Sequence, residues 1–146
     1  MVLGTTERPA HLALPEEERG RNVYDVLVER GFVAQVSDEA GLRAALERQV
    51  TVYCGYDPTA TSLHIGNQLT LMMLAHVQRH GHRPIALLGG GTGMIGDPTD
   101  RASQRPLLTE GQIEANVAAL RPIFSRYLDF SAAAGAVRAR RAARAS

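Results

Sequence analysis

The chain has 146 residues, 45% of them apolar and 21% charged, which suits one domain with a real core and excludes a disordered polymer. Its single cysteine, Cys54, excludes an internal disulfide and a four-cysteine zinc site. The formal net charge is +1, but removing the four arginines of the last nine positions (Arg138, Arg140, Arg141, Arg144) takes it to −3, so strong non-specific nucleic-acid binding by the folded part is not indicated.

Residues 1–20 are punctuated by Gly4, Pro9, Pro15 and Gly20 and read as a loosely ordered extension. They hold acidic residues and no signal-peptide core, and no apolar run in the chain reaches membrane-spanning length. A cytoplasmic protein with no membrane partner is expected. Asn22 can cap a helix with Val23, Val26, Leu27 and Tyr24 on its apolar face, and Gly31 can end it. Ser37 or Asp38 starts a second helix, from which Leu42, Ala45 and Leu46 are expected to face inward.

A β-branched and aromatic strand follows at residues 50–55, stopped by Gly55, Asp57 and Pro58. Ser62 can cap a long helix from Leu63 to His80, with Leu69, Met72, Met73, Ala75 and Val77 as its apolar positions. A strand, a glycine-bearing turn and a helix N-terminus form a corner whose free N–H groups and dipole favour an anion. His64, Gly66 and Asn67 lie in that corner. Gly66 has no Cβ and permits close approach of a ligand. His64 and Asn67 are three apart and project on one side. The corner reads as a nucleotide site.

Pro84 to Leu88 is a continuous apolar run, which suits a buried parallel strand. Strand, helix and strand predict a right-handed βαβ unit, with ligands beyond the carboxyl ends of the strands. Residues 53–57 and the glycine-rich run 89–98 should therefore line one crevice, and a polar loop continues to Arg105. Thr109 and Gln112 form a capping box for a helix that Pro122 should break or kink before the apolar face resumes at Ile123, Phe124, Tyr127 and Leu128 and reaches Phe130. Residues 131–146 are half alanine and a quarter arginine, without amphipathic pattern. The organisation read from the chain is an extension at 1–21, a partial catalytic domain at 22–130 and a tail at 131–146, either disordered or the product of a frameshift.

Three histidines invite a metal reading. His76 and His80 are four apart and His82 follows. No carboxylate is placed nearby in sequence to complete a site, so they read as a solvated face and no metal is expected. Cys54 reads as a buried, inert strand residue.

Five blocks, in order, carry a family resemblance: Tyr53-Cys-Gly-Tyr-Asp-Pro-Thr-Ala, His64-Ile-Gly-Asn67, Gly-His-Arg-Pro-Ile-Ala-Leu at 81–87, Gly-Gly-Gly-Thr-Gly-Met-Ile-Gly-Asp-Pro at 89–98, and Tyr-Leu-Asp-Phe at 127–130. The sequence resembles bacterial tyrosyl-tRNA synthetases, class I enzymes that join tyrosine to ATP and pass the tyrosyl group to tRNA(Tyr). The resemblance implies an α/β fold, the first half of a Rossmann-like parallel-sheet domain. It implies that Tyr53, Asp57, Thr92 and Asp97 meet tyrosine. Gly55, His64, Gly66, Asn67 and Thr70 would meet ATP, and Arg101 and Arg105 the departing pyrophosphate. ATP is expected as substrate with Mg2+ on its phosphates, and the family works as a homodimer.

The sequence departs from the family at Asn67, where histidine is frequent, and at Arg101, where lysine is usual. A guanidinium is a planar fork and an ammonium a point charge. The family's dimer contacts, tRNA-reading domains and lysine-bearing signature loop have no counterpart here, and the chain has no lysine at all. A truncated product, inactive alone, is expected. The rival readings are another nucleotidyltransferase with the same signature and a non-enzymatic pseudogene fragment.

Overall fold

The computed structural model describes residues 12–88 and 108–131. The element order is a 3-10 turn (Glu16–Glu18), α1 (Val23–Glu29), α2 (Glu39–Ala45), β1 (Thr51–Tyr56), α3 (Ile65–Arg79), β2 (Arg83–Leu88) and α4 (Glu110–Phe124). β1 and β2 pair in parallel through α3, with Thr51 opposite Arg83 and Tyr56 opposite Leu88. The expected βαβ unit is therefore present, and both strands end level. This βαβ unit is the α/β arrangement expected for the first half of a Rossmann-like domain.

Local chemistry accounts for the element ends. The Asn22 side chain accepts the N–H of Tyr24 at 2.9 Å, and Asp38 accepts that of Gly41 at 2.9 Å. Gly31 and Gly81 end α1 and α3 at φ of 75° and 86°, a backbone conformation that costs side-chain-bearing residues energy. The capping box of α4 forms as expected between Thr109 and Gln112. α4 nevertheless continues through Pro122 to Phe124. Pro122 is exposed and lies in the last turn, while Leu120 and Phe124 are buried on either side of it. Their packing outweighs the single lost backbone bond.

Two core clusters organise the molecule. Tyr56, Leu71, Leu74, Ala75, Ala86, Leu88, Leu120, Phe124 and Leu128 join α3, the sheet and α4. Val23, Tyr24, Leu27, Leu46 and Val77 join α1 to the other side of α3. The buried α1 face is the expected one. The α3 face is corrected: Leu69 and Met72 are exposed, and Leu71 and Leu74 are fully buried in their place. A stripe that is apolar nearly all round does not by itself say which side packs. Leu42 is also exposed, and α2 buries no residue at all. α2 has only seven residues and covers the core with its C-cap, Leu46.

The histidines are corrected too. His76 and His82 are buried, not on a solvated face, and a carboxylate does stand beside the pair: Glu18 Oε2 lies 3.8 Å from both His76 Nδ1 and His80 Nε2. Within residues 12–20, Leu12 and Glu18 are buried against the rest of the chain. Cys54 is half-buried.

Burial lowers the proton affinity of both His76 and His82, with smaller help from Arg79 and His80 respectively. His82 Nδ1 also accepts the N–H of Val50 at 3.4 Å. The unfolded chain takes up these protons near the ordinary imidazole value of about 6.5, while the folded chain resists them. The stability they contribute is complete above that value and is lost as pH falls through the lowered folded values. The urea midpoint should therefore drop between about pH 7.5 and about pH 5.5, and His82→Gln should flatten part of that drop. A midpoint that rises on acidification would contradict this sign.

Candidate functional site

β1 alternates between an open and a packed face. Thr51, Tyr53 and Gly55 face outward, while Val52, Cys54 and Tyr56 face the core. Tyr53 is 73% exposed, unusual for an aromatic residue in a strand. A Cβ on Gly55 would meet nothing within 4 Å, so the surface beside Tyr53 is open. Asp57 continues on the exposed side, and Pro58 is buried beneath the turn. Asn116 of α4 donates from Nδ2 to the carbonyl of Pro58 at 2.8 Å, tying the turn to the core. Sequence reading missed Asn116. Its signal was a polar side chain on the otherwise apolar side of a helix.

The start of α3 differs from expectation in an informative way. The cap is His64, not Ser62: the helix begins at Ile65, and His64 is extended at φ −82° and ψ 167°. His64 Nδ1 accepts the N–H of Asn67 at 3.3 Å. Because Nδ1 is an acceptor here, the neutral ring carries its proton on Nε2. The exposed imidazole can then present an N–H donor beyond the helix end.

Gly66 has a local duty in the same turn. A Cβ there would lie 3.0 Å from His64 Cε1 and 3.1 Å from its Nδ1, so glycine makes room for the capping ring. Thr70 Oγ1 donates to the carbonyl of Asn67 at 2.9 Å, which ties the second turn to the first. Further along α3, Gln68 Nε2 donates to the Tyr127 hydroxyl at 2.9 Å. Buried Gln78 exchanges two bonds with the backbone of Asp129, at 2.8 and 2.9 Å. These glutamines fasten the segment after α4 onto α3, and sequence reading did not single them out.

The described part of the site is thus a strand edge with Tyr53, Gly55 and Asp57, followed by a helix N-terminus with His64, Gly66, Asn67 and Thr70. Thr92, Asp97, Arg101 and Arg105 lie outside the described residues. Among the described residues, no group of three His, Cys, Asp or Glu side chains is placed to hold a metal ion. No helix among them is long and apolar enough to cross a membrane.

A parallel βαβ unit with a helix starting shortly after its first strand is the fold class of the Rossmann-like, nucleotide-binding α/β proteins. The family described as tRNA synthetases class I (W and Y) matches residues 45–140, and the chain belongs to this family. The match extends ten residues beyond Phe130, where the sequence pattern was expected to stop. The chain is 54% identical over 110 residues to the tyrosine–tRNA ligase of Syntrophus aciditrophicus, covering 75% of this chain and 26% of that protein. It is 49% identical over 116 residues to the tyrosine–tRNA ligase of Fusobacterium nucleatum, covering 79% of this chain and 29% of that one.

Solved structures agree in fold. A C-terminally truncated mitochondrial tyrosyl-tRNA synthetase of Coccidioides posadasii superposes with a TM-score of 0.61 at 31% identity, over 84% of this chain and 36% of that one. The corresponding Aspergillus nidulans protein gives 0.63 at 34% identity, over 76% of this chain and 33% of that one. The chain thus spans less than a third of the curated relatives named above.

Proposed function

We propose that this chain is the tyrosine- and ATP-facing portion of a tyrosyl-tRNA synthetase. The observation that carries the reading is the open face of β1, where Tyr53 and Gly55 run level into the His64-capped N-terminus of α3, in a chain about half identical to tyrosine–tRNA ligases. In the first step the tyrosine carboxylate attacks the α-phosphorus of ATP. The bond from that phosphorus to the bridging oxygen breaks, and pyrophosphate leaves. Positioning and charge stabilisation drive such a step without a general base.

In this reading Tyr53 donates or accepts at the substrate phenol, and Asp57, Thr92 and Asp97 serve the tyrosine end. Gly55 leaves room for the adenylate. His64 Nε2–H and Asn67 hold the phosphates, Gly66 keeps the approach clear, and Thr70 lies beside the ribose. Arg101 and Arg105 close on the pyrophosphate. ATP would carry Mg2+ on its phosphates, which would neutralise part of their charge. The second step delivers the tyrosyl group to tRNA(Tyr), and the acting form is a cytoplasmic homodimer that includes the remaining parts of the family fold. Residues 22–130 are the catalytic portion, 1–21 an extension and 131–146 a tail.

The family also contains tryptophan enzymes. ATP–pyrophosphate exchange separates the two substrates: it should depend on tyrosine and not on tryptophan in a full-length protein bearing this segment. Tyr53→Phe should raise the KM for tyrosine by roughly tenfold, since one buried hydrogen bond is worth about 1–3 kcal/mol when its partner is left unpaired. An unchanged KM would remove Tyr53 from the pocket. Exchange supported by tryptophan alone would overturn the substrate assignment.

A further inference from the structure

The apolar face of α4 carries a polar residue that packing does not explain. Ile113, Asn116, Val117, Leu120 and Phe124 recur at helical spacing, and Ile113, Leu120 and Phe124 are buried. Val117 packs against the main core cluster. Asn116 stands within that face and is half-buried. An amide there is a poorer helix former than leucine and loses water as the face packs. An apolar side chain would serve the helix at least as well.

The amide is matched by a bond that reaches across 58 residues of chain: its Nδ2 donates to the carbonyl of Pro58 at 2.8 Å. Pro58 has no N–H, so its carbonyl is the one backbone group by which it can be held. Its ring is buried, while Asp57 and residues 59–62 around it are exposed. Residues 57–64 join the end of β1 to the start of α3 and have no helix or strand of their own. The Thr59 N–H donates to the Asp57 carbonyl at 2.9 Å and closes the turn about Pro58. Leu63 packs on the core at the far end of the turn. Apolar contacts at Pro58 and Leu63 set the depth of the turn but are non-directional, whereas the Asn116 bond orients the peptide after Pro58. The residue before a proline is confined to extended backbone, so the course of Asp57 follows that of Pro58.

We propose that Asn116 is a positioning residue of the candidate site: through the Pro58 carbonyl it sets the place of Asp57 beside the open face of β1, without itself meeting a ligand. The role rests on the reading in which Asp57 serves the tyrosine end. Tyr53 is held independently, by the pairing of β1 with β2 opposite Ile85, and His64 by the start of α3. Losing the Asn116 bond therefore disturbs Asp57 first and leaves the phosphate end nearly in place.

ATP–pyrophosphate exchange in a full-length protein bearing this segment reads the role as a split between constants. Asn116→Ala should raise the KM for tyrosine roughly threefold to tenfold, the cost of one hydrogen bond, and the KM for ATP less than about twofold. Asn116→Asp keeps the shape but sets a second acceptor against the carbonyl, and should raise the tyrosine KM at least as far. It keeps the role testable if the alanine variant fails to fold. In an Asp57→Ala background, Asn116→Ala should change the tyrosine KM by less than about twofold, because the residue it positions is already gone. Asn22→Ala removes the cap of α1 and should leave both constants unchanged. Equal rises for tyrosine and ATP, a fall in kcat alone, or a full Asn116 effect without Asp57 would overturn the proposal. A parent with no tyrosine-dependent exchange would overturn the tyrosine reading and the positioning role together. An active parent whose Asn116 variants keep its tyrosine KM would overturn the positioning role alone.

Discussion

Leu74→Ala is expected to unfold this chain. Leu74 is fully buried on α3 at the meeting of the sheet and α4, beside Leu71, Leu120 and Phe124. Truncating such a leucine costs about 2–5 kcal/mol, as lost transfer energy plus the cavity left behind. Small domains have only about 5–15 kcal/mol in total, and this one has little to spare. Its described sheet has two strands, fewer than independent stability usually requires. Tyr53 and Ile65 are about three-quarters exposed, and Leu69 more than half. That apolar area contributes nothing to folding as it stands and invites association between molecules. Urea unfolding followed by circular dichroism measures the loss. Ile65→Ala is the control and should change stability by less than about 0.5 kcal/mol, as surface substitutions do. If Leu74→Ala unfolds within about 1 kcal/mol of the parent, the described core is not the one that holds the chain together.

The second large effect concerns catalysis. The chain alone should show no tyrosine-dependent ATP–pyrophosphate exchange, whereas residues 22–130 joined to the remaining sequence of the Syntrophus relative should restore it. In that joined protein, His64→Ala should lower kcat by about 10²–10³-fold, the usual cost of one preorganised donor to developing charge. Two things are lost together there: the Nε2–H donor, and the Nδ1 acceptor that caps α3. His64→Asn separates them, because asparagine is a good cap with a differently placed donor. It should recover helix stability with little of the rate. Activity in the unjoined chain would show that the site needs nothing beyond these residues. A His64→Ala protein with unchanged kcat would remove the histidine from the chemistry.

Much of the fold was legible in the residues. Asn22, Asp38, Gly31 and Gly81 mark element ends because their chemistry satisfies or releases backbone groups locally, and the structure uses each of them in that way. The apolar run at 84–88 and the β-branched run before it became parallel partners, as their spacing around one helix requires. Local rules failed where two choices were nearly equal nearby. Ser62 and His64 can both cap, and only the folded turn decides that His64 does. Leu69 and Leu71 are equally apolar, and the position of the sheet and α4 decides which is buried. Pro122 should end a helix by its own chemistry, yet neighbouring core contacts carry the helix past it.

The site divides in the same way. Tyr53, Gly55, His64, Gly66 and Asn67 stand out in the sequence because a strand end, a glycine turn and a helix start have strong local signatures. Asn116 and Gln68 do not, since their bonds to Pro58 and Tyr127 reach across more than fifty residues of chain. By itself the sequence determined the family, the βαβ order and the corner where a strand end leads to a helix start, all of which depend on short-range spacing and residue chemistry. Tertiary structure alone decided the buried face of α3, the imidazole cap with its outward Nε2–H, and the seating of Glu18 against histidines some sixty residues away. Those depend on which surfaces meet, and packing is a property of the whole fold that no local window contains.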